Sequence, residues 1–464
     1  MLLLIARREL TELWRDGRLL WSGGLIVLLT CVALAVGWQR QQEIAAERSI
    51  AQAQDYDDWL NQSAKHPHDA AHQGMHVFKP APPLSILDPG IEPFVGSTLW
   101  LQAHRQSEMK FRPAQDATGL QRFGTLSVAW VLQMLGPLLI IVLGFNSIAG
   151  EREQGTWRQA LSLGVAVEQL LVGKALALAL TLALLLTPAL LGVSVAVAWG
   201  SAAEELPTAF GRLFWLGLGY ALYFLATLCL VLGVSARASS SRTALVVLLG
   251  IWIGGVVLVP RATADLARQL YPSPNRLQFD SALNSDLGAV KGEVWMQSFG
   301  VTIPWSPQLP LDKWGIALRL DDQAGYGVVD EHFGNLWDSF TAQQRFQDWP
   351  GLLFPVLALR SYSMGMAGTD FLHHRRFANA AETQRRLMQD VISEDLVDNA
   401  DPLGDQHFSY KAGAELWAKV PPFNYRPPGA MRSLTDNGRS LIMLLLSCLA
   451  TAWFARHAVR RAVS

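Results

Sequence analysis

The octet Gly150-Glu151-Arg152-Glu153-Gln154-Gly155-Thr156-Trp157 sets alternating charges between two glycines, directly after the apolar run 126–148. Carboxylates and a guanidinium so placed are suited to docking against another charged surface. At the end of a membrane-length run they mark where a helix re-enters water and turns. Glu151, Arg152, Glu153, Gly155 and Thr156 are therefore the candidate coupling residues, with a solvated turn as the plainer alternative.

Metal chemistry has one candidate, the stretch His66, His68, His72 and His76. On a helix the last three would form an i, i+4 stripe, and imidazoles at that spacing can share an ion. Pro67 and Gly74 interrupt such a helix, Asp69 is the only nearby carboxylate and no cysteine contributes. His68, His72 and His76 are thus weak candidates in a polar surface loop, and no metal site is expected. His373-His374 reads the same way, because adjacent helical residues point to different faces.

Other chemistry lacks sequence support. There is no GxxxxGK[ST]; Gly173-Lys174-Ala175 has neither the upstream glycine nor the hydroxyl that would hold magnesium. Lys174 reads instead as an interfacial charge reaching the headgroups. GxSxG and HExxH are also absent, so no enzymatic activity is expected. The net charge is −1, with no basic cluster interleaved with aromatics, so no nucleic-acid partner is expected.

These residues must be positioned by membrane helices. Half of the 464 residues are hydrophobic and 17% are charged, and the mean hydropathy is +0.20. That is too apolar for a soluble protein and too polar for one lying wholly in a membrane. Apolar runs at 19–38, 126–148, 175–199, 213–234, 243–259 and 438–455 predict six spans. Arg15 and Arg18, Arg152 and Lys174, Arg237 and Arg242, and Arg460 and Arg461 flank them on one side, which puts both termini in the cytosol. Residues 1–18 suit an interfacial helix, 149–174 a cytosolic coupling region and 456–464 a cytosolic tail. The first run is too long for a cleaved signal core.

Residues 39–125 and 260–437 are then two insertions on the far side, mostly helical. Gln39 to Leu60 continues the first span as a stalk, and 370–396 forms a long helix with Phe377, Ala381, Met388 and Ile392 on its apolar stripe and Arg385-Arg386 elsewhere. Val301 to Pro304 and Gly325 to Val329 are expected as short strands. Pro188, Gly217 and Gly219 are places for bending or close helix contact. Cys31, Cys229 and Cys448 all fall in spans, so packing alone must hold the insertions.

The junction resembles the "ERE-x-G-T" turn after the second span of type-2 permeases of ATP-binding-cassette (ABC) transporters. Segments Phe78-Lys79-Pro80, Leu87-Asp88-Pro89-Gly90, His104-Arg105-Gln106, Phe111-Arg112-Pro113-Ala114-Gln115-Asp116 and Leu132-Gln133 follow the order of elements in a subgroup with large extracytoplasmic loops, catalogued as a domain of unknown function. The resemblance implies a mainly α membrane protein of exporter-like type with six transmembrane helices and an extracytoplasmic domain built from two insertions. It implies a multi-pass permease of a bacterial inner membrane, dimerising with an identical or related chain and served by separate ABC ATPase subunits. ATP and Mg would sit on that ATPase, with no cofactor in this chain. Two other readings are an ATP-driven mechanotransmitter acting on a periplasmic or outer-membrane partner, and a membrane-anchored periplasmic binding or assembly protein.

Overall fold

The computed structural model describes residues 1–115, 126–301, 304–305 and 307–462. Six of its helices are long and apolar enough to cross a membrane: Leu19–Leu60, Val128–Gln154, Val167–Gly200, Leu206–Arg237, Ser241–Leu270 and Gly438–Arg461. The fifth runs beyond its apolar core to Leu270, taking Arg261 and Arg268 into the same helix. Small residues let the spans approach: a Cβ added at Gly136 would lie 2.6 Å from Phe224, at Gly144 2.7 Å from Val231, and at Gly233 2.5 Å from Phe454. Pro188 sits inside the unbroken helix Val167–Gly200.

The spans share a core with the helix Pro355–Ala367, whose Val356, Leu359, Tyr362 and Met366 are buried among them. This helix lies against the fourth and sixth spans, so part of the second insertion belongs to the core of the spans. Gly219 makes the approach possible, because a Cβ there would lie 2.4 Å from the Tyr362 ring, whereas Gly217 meets nothing within 4 Å.

A second core joins the two insertions. Trp59, Met75, Val77, Leu99 and Leu101 from the first pack with Phe377, Ala381, Met388, Ile392 and Trp417 from the second. The stalk is a single helix, Gly24–Leu60, continuous from the membrane segment. One of its faces grips an extended edge: Arg48 Nη1 donates to the Lys79 carbonyl (2.7 Å), Gln52 Oε1 accepts from the Phe78 N–H (3.0 Å), and Asp55 accepts from the His76 N–H. Positions 48, 52 and 55 share a helical face.

The strand so held, Met75–Phe78, pairs antiparallel with Thr98–Leu101, with Met75 opposite Leu101. Of the strand expected from Val301 to Pro304, residues 302 and 303 lie outside the described residues, as does Asp116. The strand expected from Gly325 to Val329 is instead part of the helix Trp314–Asp348. Gly325 packs that helix against Arg276–Phe299, where a Cβ would lie 3.1 Å from Lys291 Cε and 3.2 Å from Leu287. The Gly-Tyr-Gly-Val-Val pattern therefore reflects helix contact and not strand turns.

The helix expected over 370–396 is present as Phe371–Asp395, capped by Asp370, and its apolar stripe is buried. Arg385 departs from expectation: it is 1% exposed. It is paired with the Glu382 carboxylate at 2.8 Å through both Nε and Nη2, a bidentate contact that makes a buried guanidinium tolerable.

Candidate functional site

At the end of the second span the chain forms two short helices, Ala149–Gln154, which is the last part of that span, and Thr156–Ser162, joined by Gly155 at φ +78°. That left-handed conformation suits glycine, which has no Cβ to clash. The turn is stitched to the fourth span by Ser235. Its Oγ accepts from the N–H groups of Ile148 and Ala149 (3.1 Å each) and donates to the Phe145 carbonyl (2.8 Å).

Each charge of the junction has a partner inside the chain. Glu151 lies 2.9 Å from Lys174 Nζ on the third span. Arg152 donates to the carbonyls of Ala236 (2.8 Å) and Ala238 (3.4 Å), capping the end of the fourth span. Glu153 accepts from the N–H (3.1 Å) and hydroxyl (2.7 Å) of Ser241, where the fifth span begins. Arg18, at the foot of the first span, reaches the Val142 carbonyl at 3.0 Å.

Lys174 is 2% exposed, and so is buried where headgroup contact was expected. It also holds Glu9 of the N-terminal helix Leu2–Arg15 at 2.6 Å. Burial pushes the Glu9 carboxyl above its ordinary range, and Lys174 opposes that shift. The N-terminal helix crosses the third span closely, since a Cβ at Gly173 would lie 2.6 Å from Ile5.

With these charges paired within the chain, the junction also presents another surface. Trp157 is buried in the core of the spans, whereas Arg158, Gln159 and Ser162 are exposed and Leu163 stands 82% exposed at the tip. Gly164, at φ +80°, turns the chain back toward the third span. A rigid two-helix elbow, anchored to four spans and tipped by an exposed leucine, can pass a displacement at its tip to the helices that hold it.

The family model described as "ABC-2 family transporter protein" matches residues 3–297. The chain belongs to the ABC-2 transporter family. Residues 291–426 match a domain of unknown function (DUF3526), and no curated protein matches the chain. Membership makes this ABC-2 protein a multi-pass membrane permease subunit, a transport component distinct from the ATPase with which such permeases work, and typically dimeric.

The histidines of this ABC-2 permease are arranged differently from expectation. Pro67 opens the helix Pro67–Gln73, at a position where the missing N–H costs nothing. His68 and His72 therefore do share a helical face, with their Nε2 atoms 3.0 Å apart. Gly74, at φ +59°, ends the helix. His76 then lies on the strand, its Nδ1 2.9 Å from Asp55 and its ring stacked on Trp100, apart from the other two. In its place stands His104, whose ring centroid is 5.2 Å from His68 and 5.0 Å from His72.

His373, expected on the surface, is 3% exposed. Its Nδ1 meets Asp370 at 2.6 Å, and its Nε2 lies 3.4 Å from Ser433 Oγ and 3.3 Å from Arg212 Nη2. The order Asp370–His373–Ser433 has the connectivity of a hydrolytic triad, but Ser433 is 0% exposed and so has no face for a substrate carbonyl. The group works as a tie between the fourth span and the second insertion. A similar tie runs from Gln133 through Tyr220 and Ser363 to the buried Asp88. No local motif announces Lys174, Ser235, Ser241 or His104 as part of a site; each is defined by a partner distant in sequence.

Proposed function

We propose that this chain is the membrane subunit of an ATP-driven ABC exporter, with both termini and the two-helix elbow on the cytosolic side of a bacterial inner membrane and both insertions on the periplasmic side. The ATPase, a separate polypeptide carrying ATP and Mg, docks on the exposed face of Thr156–Ser162 and on Leu163. Glu151, Arg152, Glu153, Gly155 and Thr156 hold the elbow rigid and spread its motion over the third, fourth and fifth spans. The observation that carries this reading is the pairing of all three junction charges with groups of this chain beside an 82% exposed Leu163.

A second reading, mechanotransmission to a periplasmic partner without transport, is favoured by the unbroken 37-residue helix Gly24–Leu60 that links the first span to the second core. Co-expression with a candidate ATPase tests the docking. Leu163→Asp should abolish co-purification while leaving membrane insertion intact; retained co-purification would remove the elbow from the interface. Substrate flux in proteoliposomes containing the assembled complex then separates export from mechanotransmission.

A further inference from the structure

We propose that His68, His72 and His104 form a binding site for a divalent transition-metal ion of the zinc class, which ties the helix Pro67–Gln73 to the segment carrying His104 within the first insertion, with Asp322 of the second insertion orienting His104 from behind. One ligand atom from each histidine lies within 4.8 Å of the others. A tetrahedral ion held at roughly 2.0–2.1 Å by imidazole nitrogens places those nitrogens roughly 3.3 Å apart. The His68–His72 pair, at 3.0 Å, is already near that spacing. Two imidazole nitrogens facing each other so closely need either a proton or a cation between them, and a second imidazole one helical turn away is a common way to offer an ion two ligands.

His104 completes the set from a separate segment, and its backbone adopts φ +70°. A non-glycine residue pays for that left-handed conformation, and such strain concentrates where a side chain has a task. Its Nδ1 lies 3.3 Å from Asp322 Oδ1, leaving Nε2 for an ion. A carboxylate on the far nitrogen orients the ring and strengthens it as a ligand. Asp322, 4% exposed, belongs to the helix Trp314–Asp348 of the second insertion. Its neighbour Asp321 is committed elsewhere, to Lys291 Nζ at 2.5 Å and Trp295 Nε1 at 2.9 Å.

The surroundings agree with a ligand role. Trp314 closes one side, its ring 4.8 Å from that of His68. His68 Nδ1 is buried without a partner in the chain. An ion here would do for the first insertion what a disulfide does for other exported domains, while the His104–Asp322 contact carries the tie to the second.

The test uses the full-length, untagged protein in detergent, stripped with chelator and titrated with ZnCl2 against a chromophoric competitor, with metal content measured after dialysis. One zinc per chain is expected. His68→Ala/His72→Ala and His104→Asn should each weaken binding by at least about 100-fold, Asp322→Asn by about 10–100-fold, and His76→Ala should leave it unchanged. Asparagine tolerates the left-handed backbone and keeps an N–H donor for Asp322, so metal-free His104→Asn should still fold, with a midpoint close to that of the metal-free wild type. Absence of stoichiometric zinc at micromolar concentration, or undiminished binding by His104→Asn, would overturn the site, as would loss of binding in His76→Ala equal to that in the His68/His72 variant.

Discussion

Lys174 on the third span is held between two carboxylates, 2.9 Å from Glu151 of the elbow and 2.6 Å from Glu9 of the N-terminal helix. One buried ammonium thus binds three segments that meet at the foot of the spans. Replacing it by methionine would leave two carboxylates facing one another. Breaking a buried ion pair from one side costs roughly 3–5 kcal/mol, so Lys174→Met should lower the thermal midpoint of the solubilised protein by several degrees. Glu151→Gln should cost less, because Glu9 remains. Equal midpoints for the two variants would mean that Lys174 is not the shared partner.

The elbow's docking face and its internal charges should separate by assay. Arg158→Glu should weaken ATPase association with little change in the midpoint. Glu151→Lys/Glu153→Lys should impair both, since it places a like charge beside Lys174 and removes the Ser241 contacts. Pull-down and thermal unfolding on the same preparations would reveal the difference; a normal midpoint in the double variant would contradict the internal pairing.

Gly155 connects the two short helices at φ +78°. A β-branched residue there costs roughly 1–2 kcal/mol and would swing the second helix. Gly155→Val should therefore uncouple ATP hydrolysis from transport, while Gly155→Asn should keep most of the coupling. Coupling ratios in reconstituted complexes would check this, and full coupling in the valine variant would exclude a left-handed hinge.

Acid should loosen the insertions. Burial pushes His68 and His374 down to about 3 from an ordinary value of 6.5, with His104 and His72 acting on the first and Lys79 and Arg112 on the second. Burial also lowers His66, His72 and His407. A histidine whose pKa is depressed by folding stabilises fully above pH 6.5, and that contribution is lost progressively as the pH falls toward 3. Chelator-treated protein should show a falling unfolding midpoint from pH 7.5 to pH 5, which His68→Gln would make shallower. A flat profile would mean that these rings are not buried neutral.

Single cysteines at Gln54 and Asp405, both exposed, should label from the periplasmic side in a background lacking Cys31, Cys229 and Cys448. A cysteine at Arg158 should label only from the cytosolic side. Labelling of all three from one side would refute the orientation.

Much of this was legible in the sequence for physical reasons. A membrane span is a local property of about twenty residues, and a charged stretch bounded by glycines announces a turn. The stalk and the helix Phe371–Asp395 followed from uninterrupted polar or striped runs. The intrachain pairing of the junction could not be read, because Lys174, Ala236 and Ser241 are brought to Glu151, Arg152 and Glu153 only by packing. The histidine cluster is hidden for two reasons: Pro67, which looks like a helix breaker, begins the helix, and His104 lies outside the local stretch. Asp322, 218 residues beyond His104, leaves no sequence signal at all. The long helix Trp314–Asp348 was obscured by its glycines, of which Gly325 serves close packing and Gly327 meets nothing within 4 Å.

The helix Gly24–Leu60 has 37 residues, about 55 Å at 1.5 Å per residue, and grips its strand through Arg48, Gln52 and Asp55. One residue added between membrane and grip would rotate that face by about 100° and carry it off the strand, whereas seven would bring it round nearly in phase while raising the insertions by about 10 Å. The length of the stalk is therefore quantised, and the height of the insertions above the membrane can change only in steps set by the helical repeat.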